Sequence, residues 1–367
     1  MSLGDKVLTR WTDSLFLSPR SFHLADVGKA SHGRLKLRHD EPMYLRKLLI
    51  GLICLPLFAQ GGLTLTSAGI EARQDTAKLS AMIEAAPKLP LEPTELVVKL
   101  PKGQQLGMVS WLARDPKTGA TWLIQRGDKA DPVIAVDKEG RVLHSFGKGL
   151  YKIPHAIRLD PAGNVWTVDA GSSTVIKFSP KGEKLLQIEV GGLPEPALTP
   201  FRGATDIAFA PNGRIFISDG YANARILEYT VDGKKLREWG SAGTGLGQFH
   251  LPHSIVVDEN NILYVADREN GRIQKFDLNG KFLSEFPNLG RTYSLKLGAN
   301  GTLWTGVQPL DEPAGSPGWI VKLDRKTDKI LGYVPVTEKA GLHSVEDAGD
   351  GQPMTDVGNT VVWFNNH

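Results

Sequence analysis

The 367-residue chain has a single cysteine, Cys54. That excludes an internal disulfide and any cysteine-based zinc cluster, so a stable fold must come from burial and hydrogen bonding. Charge of one sign is also lacking. The formal charge is +3, but residues 1–42 together with Arg46 and Lys47 carry the positive excess and leave −1 for the remainder. No basic surface for nucleic acid is expected from such a balance. Nor is there a serine nucleophile elbow or a glycine-rich phosphate loop.

A membrane-spanning run is missing too. The stretch "MYLRKLLIGLICLPLFAQGG", from Met43, has a basic start, an apolar core of about a dozen residues and a small-residue end, the layout of a secretory signal. A spanning helix needs roughly 20 apolar residues. The expected organisation is therefore residues 1–42 upstream of the true start, a signal at 43–62, a leader or linker at 63–93, and a folded body at 94–367. The mature protein is expected in the periplasm or outside the cell, with no stable membrane span.

Glycine (40) and proline (23) are plentiful, without a collagen-like period. Many of them punctuate an internal repeat. "HAIRLDPAGNVWTVD" (155–169), "TDIAFAPNGRIFISD" (205–219) and "HSIVVDENNILYVAD" (253–267) align without a gap. Each reads as an alternating apolar strand, a tight turn and a second strand ending in aspartate, followed by two further strands. Four strands in under 50 residues make a propeller blade. Weaker copies near Met108, Tyr293 and His343 bring the number to six, and predict an all-β, six-bladed β-propeller. The sixth copy lacks an outer strand, while "TELVVKLP" (94–101) alternates like one. The N-terminal strand is expected to complete the last blade and close the ring.

His155, His253 and His343 head copies two, four and six, at intervals of 98 and 90 residues. In a six-bladed ring, alternate blades lie about 120° apart and their innermost strands line the central channel. The three imidazoles should converge on the axis. Three histidines form a ligand set of catalytic zinc sites, which keep an open position; copper, nickel and iron also accept imidazole.

The stretches "IPHAIRLD", "SDGYANARI", "LPHSI" and "VADRENGRIQ" resemble the peptidyl-α-hydroxyglycine α-amidating lyase family, within the broader class of NHL-repeat propellers. The resemblance covers roughly residues 97–367. It implies zinc on His155, His253 and His343, a catalytic tyrosine at Tyr221, and active-site arginines at Arg126 (in "IQRGDKADP") and Arg268. It also implies a structural calcium held by an aspartate after the third histidine, where this chain has Ser344. The implied reaction cleaves a carbinolamide, R–CO–NH–CH(OH)–COO⁻, into an amide and glyoxylate. The substrate would be a peptide or small molecule ending in α-hydroxyglycine, made by a separate monooxygenase.

Other readings remain open at this stage. A propeller of this kind can serve as a non-catalytic scaffold that binds a protein or glycan. Propeller lactonases use carboxylate and asparagine metal ligands, which these channel positions lack. The repeated Asp169, Asp219 and Asp267 point to loop hydrogen bonding rather than catalysis, and Arg272 is expected to be structural. The signal reading is tested by producing protein from Met43: it should be cleaved between about Gly61 and Gly69 and recovered outside the cytoplasm, and an uncleaved cytoplasmic product would refute it.

Overall fold

The computed structural model describes residues 76–193, 199–337, 341–349 and 351–366. The expected upstream segment and signal lie outside these residues. Among the described residues no helix is long and apolar enough to cross a membrane.

Six four-stranded antiparallel sheets form the blades of a β-propeller. Their innermost strands are Val109–Arg114, Pro154–Leu159, Ala204–Phe209, Pro252–Val257, Arg291–Leu297 and Gly341–Asp347. Each packs beside the next, and the last returns to the first. Blades stacked face to face bury both sides of their inner strands, which is why strands such as Val133–Val136 are apolar throughout and fully buried. Outer strands stand at the rim: Val142–Phe146 and Lys184–Glu189 are largely exposed, and the second carries Lys184 and Glu189.

The turns explain the spacing of the repeat. Asp160 Oδ1 accepts from the backbone N–H groups of Ala162 and Asn164, and Asp258 Oδ1 from those of Asn260 and Ile262. An aspartate side chain thus folds the inner hairpin locally. The next requirement is a left-handed residue, met by Gly163 (φ +88°) in blade two and by Asn261 (φ +63°) in blade four, the two residue types that tolerate it best.

Ring closure follows the expected plan with a small shift. The strand is Glu92–Leu96, and it pairs antiparallel with Thr360–Asn365 as the outer strand of blade six. Pro93 is tolerated because this strand lies at the sheet's edge. Leu96 is buried with Val109, Met354 and Val361, joining the closing strand to blades one and six. The segment before it is also packed down: the helix Thr76–Glu84 inserts Leu79 and Ile83 among Leu289, in the connection from blade four to blade five, and Leu303 and Val307 of blade five. Leu96→Ala should therefore cost about 2–3 kcal/mol and speed hydrogen exchange at Val361 and Val362. Unchanged stability and protection would show that the closing strand does not hold the seam.

Candidate metal centre

In every blade the pairing of the first two strands slips at a bulge. The slips fall between Val109 and Trp111, Pro154 and Ala156, Ala204 and Asp206, Pro252 and Ser254, Thr292 and Leu295, and Gly341 and Val345. A bulge releases residues from the ladder and re-aims their side chains. The released positions include Ser110, His155, Thr205, His253, Tyr293 and His343, so histidine alternates with hydroxyl-bearing residues around the channel. Leu251 (φ +68°) and Leu342 (φ +71°), just before two of the histidines, take the left-handed backbone that costs a residue with a Cβ about 1–2 kcal/mol. The chain bends sharply where these imidazoles enter the channel.

The histidine rings meet at the axis, with centroids 4.8–4.9 Å apart. Their candidate ligand atoms all lie within 4.8 Å of one another. Each ring is held by the neighbouring blade. His155 Nδ1 is 2.6 Å from the Thr205 carbonyl oxygen, His253 Nδ1 2.5 Å from that of Tyr293, and His343 Nδ1 2.7 Å from that of Ser110. A carbonyl only accepts, so each Nδ1 carries the proton and each Nε2 presents a lone pair. Burial, with Arg268 near all three rings and Arg126 near those of His155 and His343, holds the imidazoles in the neutral form. His155 and His253 lie well below the usual histidine range, and His343 is pushed down to about 3. Neutral imidazoles oriented by a second hydrogen bond are what a transition-metal ion requires, and the group could hold one.

Tyr221, the expected catalytic tyrosine, lies on the loop between the second and third strands of blade three. Its hydroxyl is 2.9 Å from His155 Nε2 and 3.3 Å from His253 Nε2. The preceding Gly220 is needed there, since a Cβ on it would lie 2.3 Å from the Pro252 carbonyl oxygen. Burial raises the Tyr221 phenol above its usual range; Arg268 and Arg126 pull the other way without overcoming it.

Both expected arginines reach this wall of the channel. The Arg268 guanidinium lies 5.9 Å from the Tyr221 ring centre and 5.1 Å from that of Tyr293, with Nε bonded to Glu269 at 2.8 Å. Its ion-pair partner is thus Glu269, while Asp267 bonds Arg272, Asn270 and the His250 N–H. Among the described residues Arg126 bonds only neutral groups: the Pro154 carbonyl (3.0 Å), Ser110 Oγ (2.8 Å) and Met108 Sδ (3.5 Å). It faces Phe201 at 5.2 Å, and Phe201 packs on Tyr221. A half-buried guanidinium hydrogen-bonded only to neutral partners is suited to receive an anionic group.

The structure adds residues that sequence reasoning missed. Trp111 packs its indole 5.6–6.0 Å from all three histidine rings and closes the channel on one side of them. Asp356, whose carboxyl burial raises to about 7, accepts from the Ser344 N–H and Oγ. With Ser344 committed to that carboxylate, the implied calcium loses its aspartate. Among the described residues the three histidines are the only group of three or more His, Cys, Asp or Glu side chains close enough to hold an ion. A calcium ion takes six to eight oxygen ligands, commonly with carboxylates among them; Ser344 offers only a hydroxyl, and the nearby Asp356 is turned to the Ser344 N–H and Oγ, so the position beside His343 lacks the aspartate that the resemblance implies.

If the three imidazoles form one site, replacing any of them with alanine should take bound zinc or cobalt from about one equivalent towards zero, with the β-sheet circular dichroism unchanged. Full metal content in all three variants would refute a shared centre.

Comparison with known proteins agrees with this architecture. Residues 249–276 match the NHL repeat. The chain is 37% identical over 160 residues to the mouse peptidyl-glycine alpha-amidating monooxygenase, an alignment covering 41% of this chain and 16% of the mouse protein. It is 35% identical over 148 residues to the probable peptidyl-alpha-hydroxyglycine alpha-amidating lyase pgal-1 of Caenorhabditis elegans, covering 39% of this chain and 42% of the worm protein. The chain thus spans less than half the length of these relatives. Among solved structures, a streptogramin B lyase superposes with a TM-score of 0.54 at 18% identity, covering 75% of this chain and 97% of that one, which supports the propeller fold alone. The protein is an NHL-repeat β-propeller homologous to the peptidyl-α-hydroxyglycine α-amidating lyases.

Proposed function

We propose that the protein is an exported, zinc-dependent lyase that cleaves the C–N bond of an α-hydroxyglycine carbinolamide, yielding an amide and glyoxylate. The observation that carries this reading is the convergence of three neutral Nε2 atoms, one tyrosine hydroxyl and two arginines at one end of the channel. A purely binding propeller has no need for imidazoles stripped of their usual basicity and aimed at one point.

Each residue has a task in the reaction. Arg126 and Arg268 bind the substrate carboxylate and set the carbinol carbon against the histidines, a bidentate grip that lysine would not reproduce. His155, His253 and His343 hold the ion through Nε2, with Nδ1 anchored on the adjoining blades. A zinc ion there supplies Lewis-acid stabilisation of negative charge on a substrate oxygen, and its charge adds to the pull of the arginines on the Tyr221 phenol. As the phenolate which that combined pull favours, its own proton already given up to solvent, Tyr221 Oη takes the hydroxyl proton, the C–N bond breaks as the C=O of glyoxylate forms, and Tyr221 passes the same proton to the departing amide nitrogen. Phe201 and Trp111 shield the site from water. The substrate is a peptide or small molecule with a C-terminal α-hydroxyglycine, supplied by a monooxygenase acting first.

Glyoxylate release from an N-acyl-α-hydroxyglycine tests the assignments residue by residue. Arg126→Ala and Arg268→Ala should raise KM through loss of carboxylate binding. Tyr221→Phe keeps the ring and removes the proton acceptor, so kcat should fall about 10²–10⁴-fold with metal still bound. A fully active Tyr221→Phe variant would remove the tyrosine from the chemistry.

A further inference from the structure

On the far side of Trp111 from the histidines lies Arg158, three residues beyond His155 on the same inner strand and only 8% exposed. Its guanidinium sits 5.1 Å from the Trp111 ring centre. Nε and Nη2 make a two-pronged contact with Asp206, at 2.9 and 2.6 Å. Nη2 also reaches Ser254 Oγ at 3.3 Å and the Leu295 carbonyl at 3.2 Å. One side chain from blade two thereby touches blades one, three, four and five. Below it a cavity of about 350 Å³ opens at the opposite channel mouth, lined by the far ends of the inner strands, among them Leu159, Phe209, Val257 and Leu297.

The partners of Arg158 adjoin the groups that orient the histidines. Asp206 follows Thr205, whose carbonyl accepts from His155 Nδ1. Asp206 Oδ2 accepts from Ser254 Oγ at 2.7 Å and from the Ile255 N–H at 3.1 Å, on the strand that carries His253. Ser254 Oγ lies 3.0 Å from the Leu295 backbone nitrogen, two residues beyond the Tyr293 carbonyl that holds His253 Nδ1. Trp111 lies between the guanidinium and all three rings. Burial alone would weaken the Arg158 cation, but the facing Asp206 carboxylate more than restores it. A buried charge of this kind is costly unless fully paired, and here every contact links different blades.

We propose that Arg158 is the built-in cation of the channel: paired with Asp206, it gathers the inner strands as a bound structural ion would, and positions the three-histidine centre through Trp111 and the Asp206–Ser254 bridge. No calcium is then needed. This inference rests on the metal reading of the histidines and makes Arg158 a positioning residue that touches neither ion nor substrate.

Cobalt(II) binding to the full chain tests it, because the visible absorption of the ion reports its ligand geometry. Arg158→Met should weaken cobalt binding about 10–100-fold, as loss of outer support for metal ligands typically does, and alter the spectrum. Arg158→Lys should recover part of the affinity. As a control, Arg325→Met removes another buried arginine, one paired with Asp258 and Glu259, and should lower thermal stability with cobalt affinity unchanged. Should Arg158→Met fail to fold, Ser254→Ala keeps the ion pair and should show a smaller affinity loss of the same sign. Millimolar calcium should leave the wild-type melting temperature unchanged. Wild-type cobalt affinity in the folded Arg158→Met variant, or in Ser254→Ala where it stands in, would overturn the positioning role, as would stoichiometric, stabilising calcium in the wild type. A wild-type protein that binds no cobalt would instead remove the metal reading, and this inference with it.

Discussion

Three hydrogen bonds, each from a histidine Nδ1 to the backbone carbonyl of the next blade, are the interactions on which the centre depends. They fix the tautomer, aim every Nε2 inward and tie blade two to three, four to five and six to one. The last crosses the seam of the ring, since His343 bonds to Ser110. The closing strand Glu92–Leu96 therefore does more than cover a bare edge. By holding blade six against blade one, it keeps the third imidazole in register with the other two.

The electrostatics follow from burial. Imidazoles sealed among blades and flanked by two arginines stay neutral, and only the neutral form can bind a metal. The arginines remain charged beside them, and Glu269 is the acid bonded to Arg268, shared with Arg291. The centre thus combines neutral ligands, positive walls and a tyrosine hydroxyl at hydrogen-bond distance. An anionic substrate with an adjacent hydroxyl complements that arrangement in both charge and reach.

Much of this was legible in the sequence, because a repeat converts spacing into direction. Histidines two blades apart had to face one another once six copies were counted, and Tyr221, Arg126 and Arg268 stand in stretches that resemble a known family. The supporting groups were hidden for physical reasons. The anchors of the histidines are carbonyl oxygens of Ser110, Thr205 and Tyr293, and a backbone carbonyl has no residue-type signature. Arg158 occupies an ordinary strand position in "HAIRLD", and only the ring brings Asp206, Ser254 and Leu295 to it. Likewise, the pairing of Arg268 with Glu269 instead of Asp267 is set by the short 3-10 turn Arg268–Asn270, which alternation along a strand does not encode.

The central claim is that one metal ion, held by three neutral histidines, is required for carbinolamide cleavage. The most direct measurement is to strip the purified protein of metal, add zinc in steps and follow glyoxylate release from an N-acyl-α-hydroxyglycine. The account predicts an inactive stripped protein whose activity rises linearly and breaks at about one equivalent, the stoichiometry of a single three-histidine centre. Activity that survives stripping, or a zinc-loaded protein that releases no glyoxylate, would contradict it.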